Sequence, residues 1–282
     1  MAVDDNQLVQ PFLKWAGGKR QLIGEIRTHA PKRFNTYYEP FLGGGAVLFD
    51  LQPKKAIVND INNELVNTYE VIRNHIGLLI EDLKKHKNER AYFYTLRKLD
   101  RQPEYQALSP VARASRMIYL NKTCYNGLFR VNGQGQFNVP YGDYKNPNFL
   151  DESTLQAVHH FLVSNQIEIL NTDFAQAVAT AQKGDFVYID PPYDPVSHTA
   201  SFTGYSLDGF GQKEQIRLKE IVDDLTRRGC YVLLSNSATN FIKDLYSGYR
   251  IVIVEAKRAI NSNVSRRGKV DEVLVKNYGE DE

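Results

Sequence analysis

Cysteine is nearly missing from this chain. Its 282 residues include only Cys124 and Cys230, too few for a disulfide framework and suited to a reducing compartment. Neither has a cluster of histidines or cysteines beside it, so no metal is expected. No apolar run approaches the length that crosses a bilayer. The opening stretch, Met1 to Gln7, is acidic and polar, unlike a leader peptide. Internal repeats and low-complexity linkers are also absent from the pattern. These absences predict a cytoplasmic globular protein, and 42% hydrophobic with 24% charged residues is ordinary for one. The length allows one large domain or two unequal ones.

A strong net charge is lacking too, at +2 for the whole chain. That average hides a segregation. Residues 84–148 hold twelve Lys and Arg against four Asp and Glu, so this segment carries +8 and the remainder −6. A basic middle on an acidic body is an electrostatic footprint for a polyanion. A set of solvated helix faces is the competing reading.

The most informative stretch present is Asp185-Phe186-Val187-Tyr188-Ile189-Asp190-Pro191-Pro192-Tyr193. Phe186 to Ile189 predict a short buried strand. The prolines cannot donate to a ladder, so the sheet must end at Asp190. A carboxylate, a rigid turn and an aromatic ring then sit at the carboxyl end of a strand, where open α/β sheets bind ligands. Asp190 and the Pro191 carbonyl can accept the two hydrogens of an exocyclic amine, with Tyr193 stacking on the ring. A turn-capping Asp before a proline stop is the bland alternative.

Earlier in the chain, Phe12 to Lys19 bring paired glycines and a lysine to the start of a helix, which suits an anionic group. Trp15, the only tryptophan, fits a ligand platform or a core equally well. Glu39-Pro40-Phe41-Leu42-Gly43-Gly44-Gly45 reads as a strand entering a glycine turn, with Glu39 placed for an ammonium. A second short strand, Lys55 to Asp60, ends in an acid, as strands that hold ribose hydroxyls do. Glycine turn, spaced acid and no phosphate loop together point to S-adenosylmethionine.

From Asn63 to about Arg116 the periodicity is helical, broken at Pro103 and Pro110. This segment interrupts the βαβ alternation and predicts an inserted, mostly helical subdomain. It ends in two strand-like runs around Gly133-Gln134-Gly135, a hairpin rich in Asn, Gln and Arg among aromatics, the side chains that read or stack on bases. After Asn148 the alternation resumes, with strands at Gln166–Leu170 and Cys230–Leu234. An antiparallel pair, Arg250 to Glu255 and Val270 to Lys276, closes it. The loop before the last strand holds Arg266, Arg267 and Lys269, placed to clamp phosphates.

In their order these motifs resemble the Dam-type DNA adenine-N6 methyltransferases, over nearly the whole chain. The resemblance rests on Phe12-Leu13-Lys14-Trp15-Ala16-Gly17-Gly18-Lys19, the Glu39–Gly45 turn, Tyr125-Asn126-Gly127-Leu128, Gln136-Phe137-Asn138-Val139-Pro140-Tyr141-Gly142 and Asp190–Tyr193. It implies a Rossmann-like S-adenosylmethionine-dependent methyltransferase sheet (residues 1–62 and 151–282) with an inserted, hairpin-bearing target-recognition domain (63–150). The implied substrate is duplex DNA at GATC sites. By the same likeness, Asp190, Pro191, Pro192 and Tyr193 are the catalytic segment. Trp15, Gly17, Lys19, Glu39, Gly43, Asp60, Asp173, Phe174 and Asp190 would bind the cofactor. Lys14, Tyr125, Asn126, Leu128, Arg130, Asn132, Pro140, Tyr144 and Arg267 would meet DNA, with Arg130 on a guanine. The chain departs from the pattern at Asp143, where relatives often carry a base. A cognate restriction enzyme acting on the same site is a candidate partner. A cytosine-N4 or RNA methyltransferase, or a DNA-binding relative without turnover, are the competing readings.

Overall fold

The structure, a computed structural model, describes residues 8–15, 17, 19, 22–195, 210–257 and 269–279. In chain order the described elements begin with α1 (Ile23–His29), β1 (Tyr37–Glu39), α2 (Ala46–Leu51), β2 (Lys55–Asn59) and α3 (Asn63–Leu83). There follow α4 (Arg90–Lys98), α5 (Pro110–Thr123), α6 (Glu152–Ser164), β3 (Gln166–Leu170), α7 (Phe174–Ala177) and β4 (Phe186–Ile189). The chain continues through α8 (Gln212–Arg227), β5 (Tyr231–Ser237), α9 (Asn240–Leu245), β6 (Arg250–Lys257) and β7 (Lys269–Lys276).

These elements form two compact units. One comprises Met1–Gly18, Gly43–Lys54 and Asp60–Asn171, the other Lys19–Leu42, Lys55–Asn59 and Thr172–Glu282. The cuts fall elsewhere than the functional boundaries expected at 63 and 150.

The second unit holds six strands in the order β2-β1-β4-β5-β7-β6. β1 pairs in parallel with β2 and β4, and β4 with β5. β7 runs antiparallel to both β5 and β6, the closing pair read from the sequence. All four residues of β4 are buried, as a strand between two parallel neighbours demands. α8 packs on this sheet through Leu218, Val222 and Leu225, in a core with Val187, Ile189, Val232 and Val275. β5 runs three residues past the apolar run, because Ser235, Asn236 and Ser237 continue the pairing with β7.

In the first unit, α3 packs against α5 and α6. Asn62 caps α3 by accepting the Leu65 N–H, and Ser109 caps α5 by accepting that of Ala112. Pro110 separates the helices by starting α5, since the first turn needs no N–H from it. The hairpin has no regular ladder. Isolated antiparallel bridges join Val131 to Phe137 and Cys124 to Tyr141, and backbone bonds run from the Asn132 N–H to the Gln136 carbonyl and from the Asn138 N–H to the Arg130 carbonyl. The Asn132 side chain accepts from Gln134 N–H and Gln136 N–H, both at 3.0 Å, and donates to Gln136 Oε1, so two of its amides are used to build the turn. Arg97 and Arg101 hold the second arm by donating to the carbonyls of Val139 and Phe137.

Candidate active site

Within the second unit, chain order reverses between β1 and β4: β2 lies on one side and β5 on the other. Such a switch point is where ligands bind, beyond the carboxyl ends of the strands. Glu39 ends β1 there, and Asp190 follows β4. Glu39 is buried and accepts from the Tyr37 hydroxyl at 2.9 Å.

Register places Ile189 opposite Leu234, so Asp190 comes level with Ser235. The Ser235 hydroxyl donates to Asp190 Oδ1 at 2.9 Å. Lys19 Nζ lies 2.9 Å from the same oxygen and 4.5 Å from the centre of the Tyr193 ring. Lys19 is only 6% exposed, so its charge is poorly screened by water. Burial pushes the Asp190 carboxyl above the ordinary aspartate range, against the pull of Lys19 and Ser235. Beneath it, burial above all pushes the Tyr37 and Tyr188 phenols well up, with Glu39 and Asp190 adding to the effect. Both phenols therefore keep their protons at any physiological pH.

If the carboxylate form of Asp190 is the working one, activity falls as pH drops through its raised pKa. Lys19→Met removes the ammonium that opposes the rise, so the acid limb of the kcat/KM profile is expected to move to higher pH. A limb that stays in place would mean that Lys19 does not set the ionisation of Asp190.

The turn beyond Asp190 is tied down by side chains. Gln215 Nε2 donates to the Pro192 carbonyl at 2.9 Å, and the Asp194 N–H donates to Asn236 Oδ1 at 3.1 Å. The Tyr193 hydroxyl donates to Glu272 Oε2 at 2.7 Å. Further along the sheet, Phe41 stacks on Phe174, with ring centres 5.4 Å apart, and Phe210 meets both. Asp173 caps α7 and forms an ion pair with Arg217, which holds its carboxyl below the ordinary range.

In the first unit, Asp60 clasps the glycine turn. Its carboxylate accepts from Gly43 N–H at 2.9 Å and Asn62 N–H at 2.8 Å. Burial pushes this carboxyl up, against those two donors. Gly43 has φ +50°, and a Cβ there would come 2.8 Å from Trp15 Cδ1, so only glycine fits. Trp15 stacks on Phe129 with ring centres 5.0 Å apart, and Gly17 takes φ +76°.

The residues expected to meet DNA gather around the end of α5. Tyr125 stands 55% exposed, on a turn where Asn126 takes φ +56°. The Asn126 N–H donates to the Tyr144 hydroxyl, and the Tyr125 N–H to the carbonyl of exposed Pro140. Lys14 Nζ lies 5.5 Å from the Tyr144 ring centre. The buried amide of Asn121 bonds Lys14 N–H at 2.9 Å, Lys14 O at 2.7 Å and Gly127 O at 3.1 Å, holding both segments. Leu128 is half-buried and Arg130 exposed, with Arg130 Nε donating to Asn138 Oδ1 at 2.7 Å. Arg267 lies outside the described residues. Among the described residues no cluster of His, Cys, Asp and Glu suits a metal, and no helix is long and apolar enough to cross a membrane.

Sequence reasoning passed over Ser235, Gln215, Asn236, Glu272 and Asn121. The one available signal was a strand ending in three polar residues, Ser235, Asn236 and Ser237, all of which turn out to be buried.

A mostly parallel sheet closed by an antiparallel strand, with an acid and a proline turn at its switch point, is the frame of a Rossmann-like methyltransferase. Residues 15–260 match the family model of the D12 class N6 adenine-specific DNA methyltransferases. The type II methyltransferase M1.LlaDCHI of Lactococcus lactis subsp. cremoris is 44% identical to the chain, over 96% of each sequence. The type II methyltransferase M.MjaIII of Methanocaldococcus jannaschii is 42% identical, over 96% of this chain and 99% of its own. A DNA adenine methylase of Escherichia coli is 35% identical, over 93% of each. The chain belongs to the D12 class of adenine-N6 DNA methyltransferases. It is an enzyme that acts on DNA and takes its methyl group from S-adenosylmethionine.

Proposed function

We propose that the enzyme methylates adenine N6 within GATC in duplex DNA, in the cytoplasm, acting on a base extruded from the helix. The observation that carries this reading is the setting of Asp190. It stands at the switch point with Lys19 and Ser235 on one of its oxygens, next to a proline turn and an aromatic ring.

The adenine amine is a poor nucleophile because its lone pair is delocalised into the ring. Asp190 and the Pro191 carbonyl accept its two hydrogens, which favours a pyramidal nitrogen and aims the lone pair. Much of the catalysis is then alignment and charge placement. Stacked in a duplex the amine is out of reach, so the base is flipped and Tyr193 stacks on it. S-adenosylmethionine supplies an electrophilic methyl group. The chain's residues fit this cofactor. Asp60, just past the end of β2 and holding the glycine turn through the Gly43 N–H, is assigned to the ribose hydroxyls. Glu39 is assigned to the amino group, while Trp15, Gly17, Lys19, Asp173 and Phe174 complete the set. Lys14, Tyr125, Asn126, Leu128, Asn132, Pro140 and Tyr144 are assigned to DNA, with Arg130 reading guanine. The names of the two type II relatives support a cognate restriction enzyme as partner.

The test uses the purified protein, labelled methyl donor and four substrates: a GATC duplex, duplexes changed at one pair, single-stranded DNA and RNA. Label is expected on the GATC duplex alone, at adenine N6, with the product altered in its cleavage by enzymes sensitive to GATC methylation. Equal labelling of the changed duplexes would overturn the GATC assignment, and label on cytosine or RNA would favour the competing readings.

A further inference from the structure

We propose that Glu272 is a positioning residue that sets the plane of the Tyr193 ring, and so sets how well an extruded base is held. This inference rests on the stacking role assigned to Tyr193 above.

The backbone on both sides of Tyr193 is fixed without a ladder. Pro191 and Pro192 offer no N–H. Instead the Pro192 carbonyl accepts from Gln215, and the Asp194 N–H and carbonyl bond Asn236 Oδ1 and Ser237 Oγ. Gln215 and Asn236 are fully buried and bond each other at 3.1 Å. With its main chain anchored, Tyr193 keeps only its side-chain torsions, and the one about the ring is broad for an aromatic residue. Glu272 acts on that remaining freedom. It sits on β7 opposite Ser237, the residue that holds the Asp194 carbonyl. Its carboxylate takes the Tyr193 hydroxyl at 2.7 Å, a short charge-assisted bond at the far end of the ring. Burial first, then Asp190 and Glu272, push the phenol well above its ordinary range, so the proton stays on Tyr193 and the direction of the bond is fixed. A ring held at both ends is ordered before the base arrives, which lowers the entropy lost on stacking.

The experiment places 2-aminopurine at the target adenine of a GATC duplex and reads its fluorescence on binding, for fluorescence rises when this base leaves the stack. In parallel it measures kcat and the KM for S-adenosylmethionine on the natural duplex. Glu272→Leu is expected to lower kcat about tenfold and to weaken the fluorescence rise, with the cofactor KM unchanged. Glu272→Gln keeps an acceptor oxygen and should restore most of both. Tyr193→Phe removes the same bond from the other side, so the double variant should be no worse than Tyr193→Phe alone. Wild-type kcat and fluorescence in Glu272→Leu would overturn the proposal, as would additive losses in the double variant. If Glu272→Leu does not fold, the comparison of Glu272→Gln with Tyr193→Phe decides, and equal losses in the two sink the idea. A wild-type enzyme that methylates GATC without any fluorescence rise would instead sink the base-flipping reading, and the kcat cycle would then judge Glu272 by itself.

Discussion

Asp190→Ala is expected to lower methyl transfer by roughly 10³-fold or more, while specific binding to the DNA site survives. The size follows from what is removed. Loss of a single hydrogen-bonding group aimed at developing charge costs about 10²–10³-fold in other enzymes. Asp190 is also the counter-charge of a buried lysine, 2.9 Å away. Its removal leaves the Lys19 ammonium without that partner in the place proposed for the amine of the base. Asp190→Asn makes the informative contrast, for it keeps one acceptor oxygen and loses the charge, and its activity should fall between the two. The measurements are single-turnover methylation and competition binding with a GATC duplex. Loss of binding together with activity in Asp190→Ala would assign the residue a structural role, since the exposed surface around Tyr125 and Arg130 belongs to other parts of the chain.

The second large effect concerns choice of site. Arg130→Ala should relax discrimination at one base pair by about 1–3 kcal/mol, the worth of a good bidentate contact to guanine. Arg130 is exposed, and its Nε is held by Asn138, so the contact is expected to use the two terminal nitrogens. Arg130→Lys should not restore the preference, because an ammonium lacks the planar fork. Competition among duplexes changed at single positions measures this. A uniform loss of affinity across all of them would make Arg130 a phosphate contact, and an unchanged preference would reject any role in reading.

Much of the frame behind these two residues was legible in the sequence, for local reasons. β4 could be read because an apolar run meets two prolines, and β3 because its alternation is bounded on both sides. β2 was read one residue too long. Asp60 stands just past its end, with its carboxylate turned onto Gly43 and Asn62. Pro103 and Pro110 were read as dividing the run into separate helices, and Pro110 does so by opening α5 behind the Ser109 cap. The hairpin was read as two paired runs, and backbone bonds from Asn132 to Gln136 and from Asn138 to Arg130 join them, while arginines from α4 and the turn after it hold the second arm. Partners distant along the chain left no trace in the pattern. Ser235 stands 45 residues from Asp190, Gln215 stands 23 from Pro192, and Glu272 stands 79 from Tyr193. The register of β5 and β7 brings in Ser235 and Glu272, and the packing of α8 on the sheet brings in Gln215.

The double proline after Asp190 also decides how motion in this segment is to be observed. Amide hydrogen exchange is silent at both positions, because neither carries an exchangeable proton. The nearest useful reporter is Asp194, whose amide is held by Asn236. Its protection factor therefore gauges how often the whole segment lets go, and a labelled nucleus at that one site would follow the opening in real time.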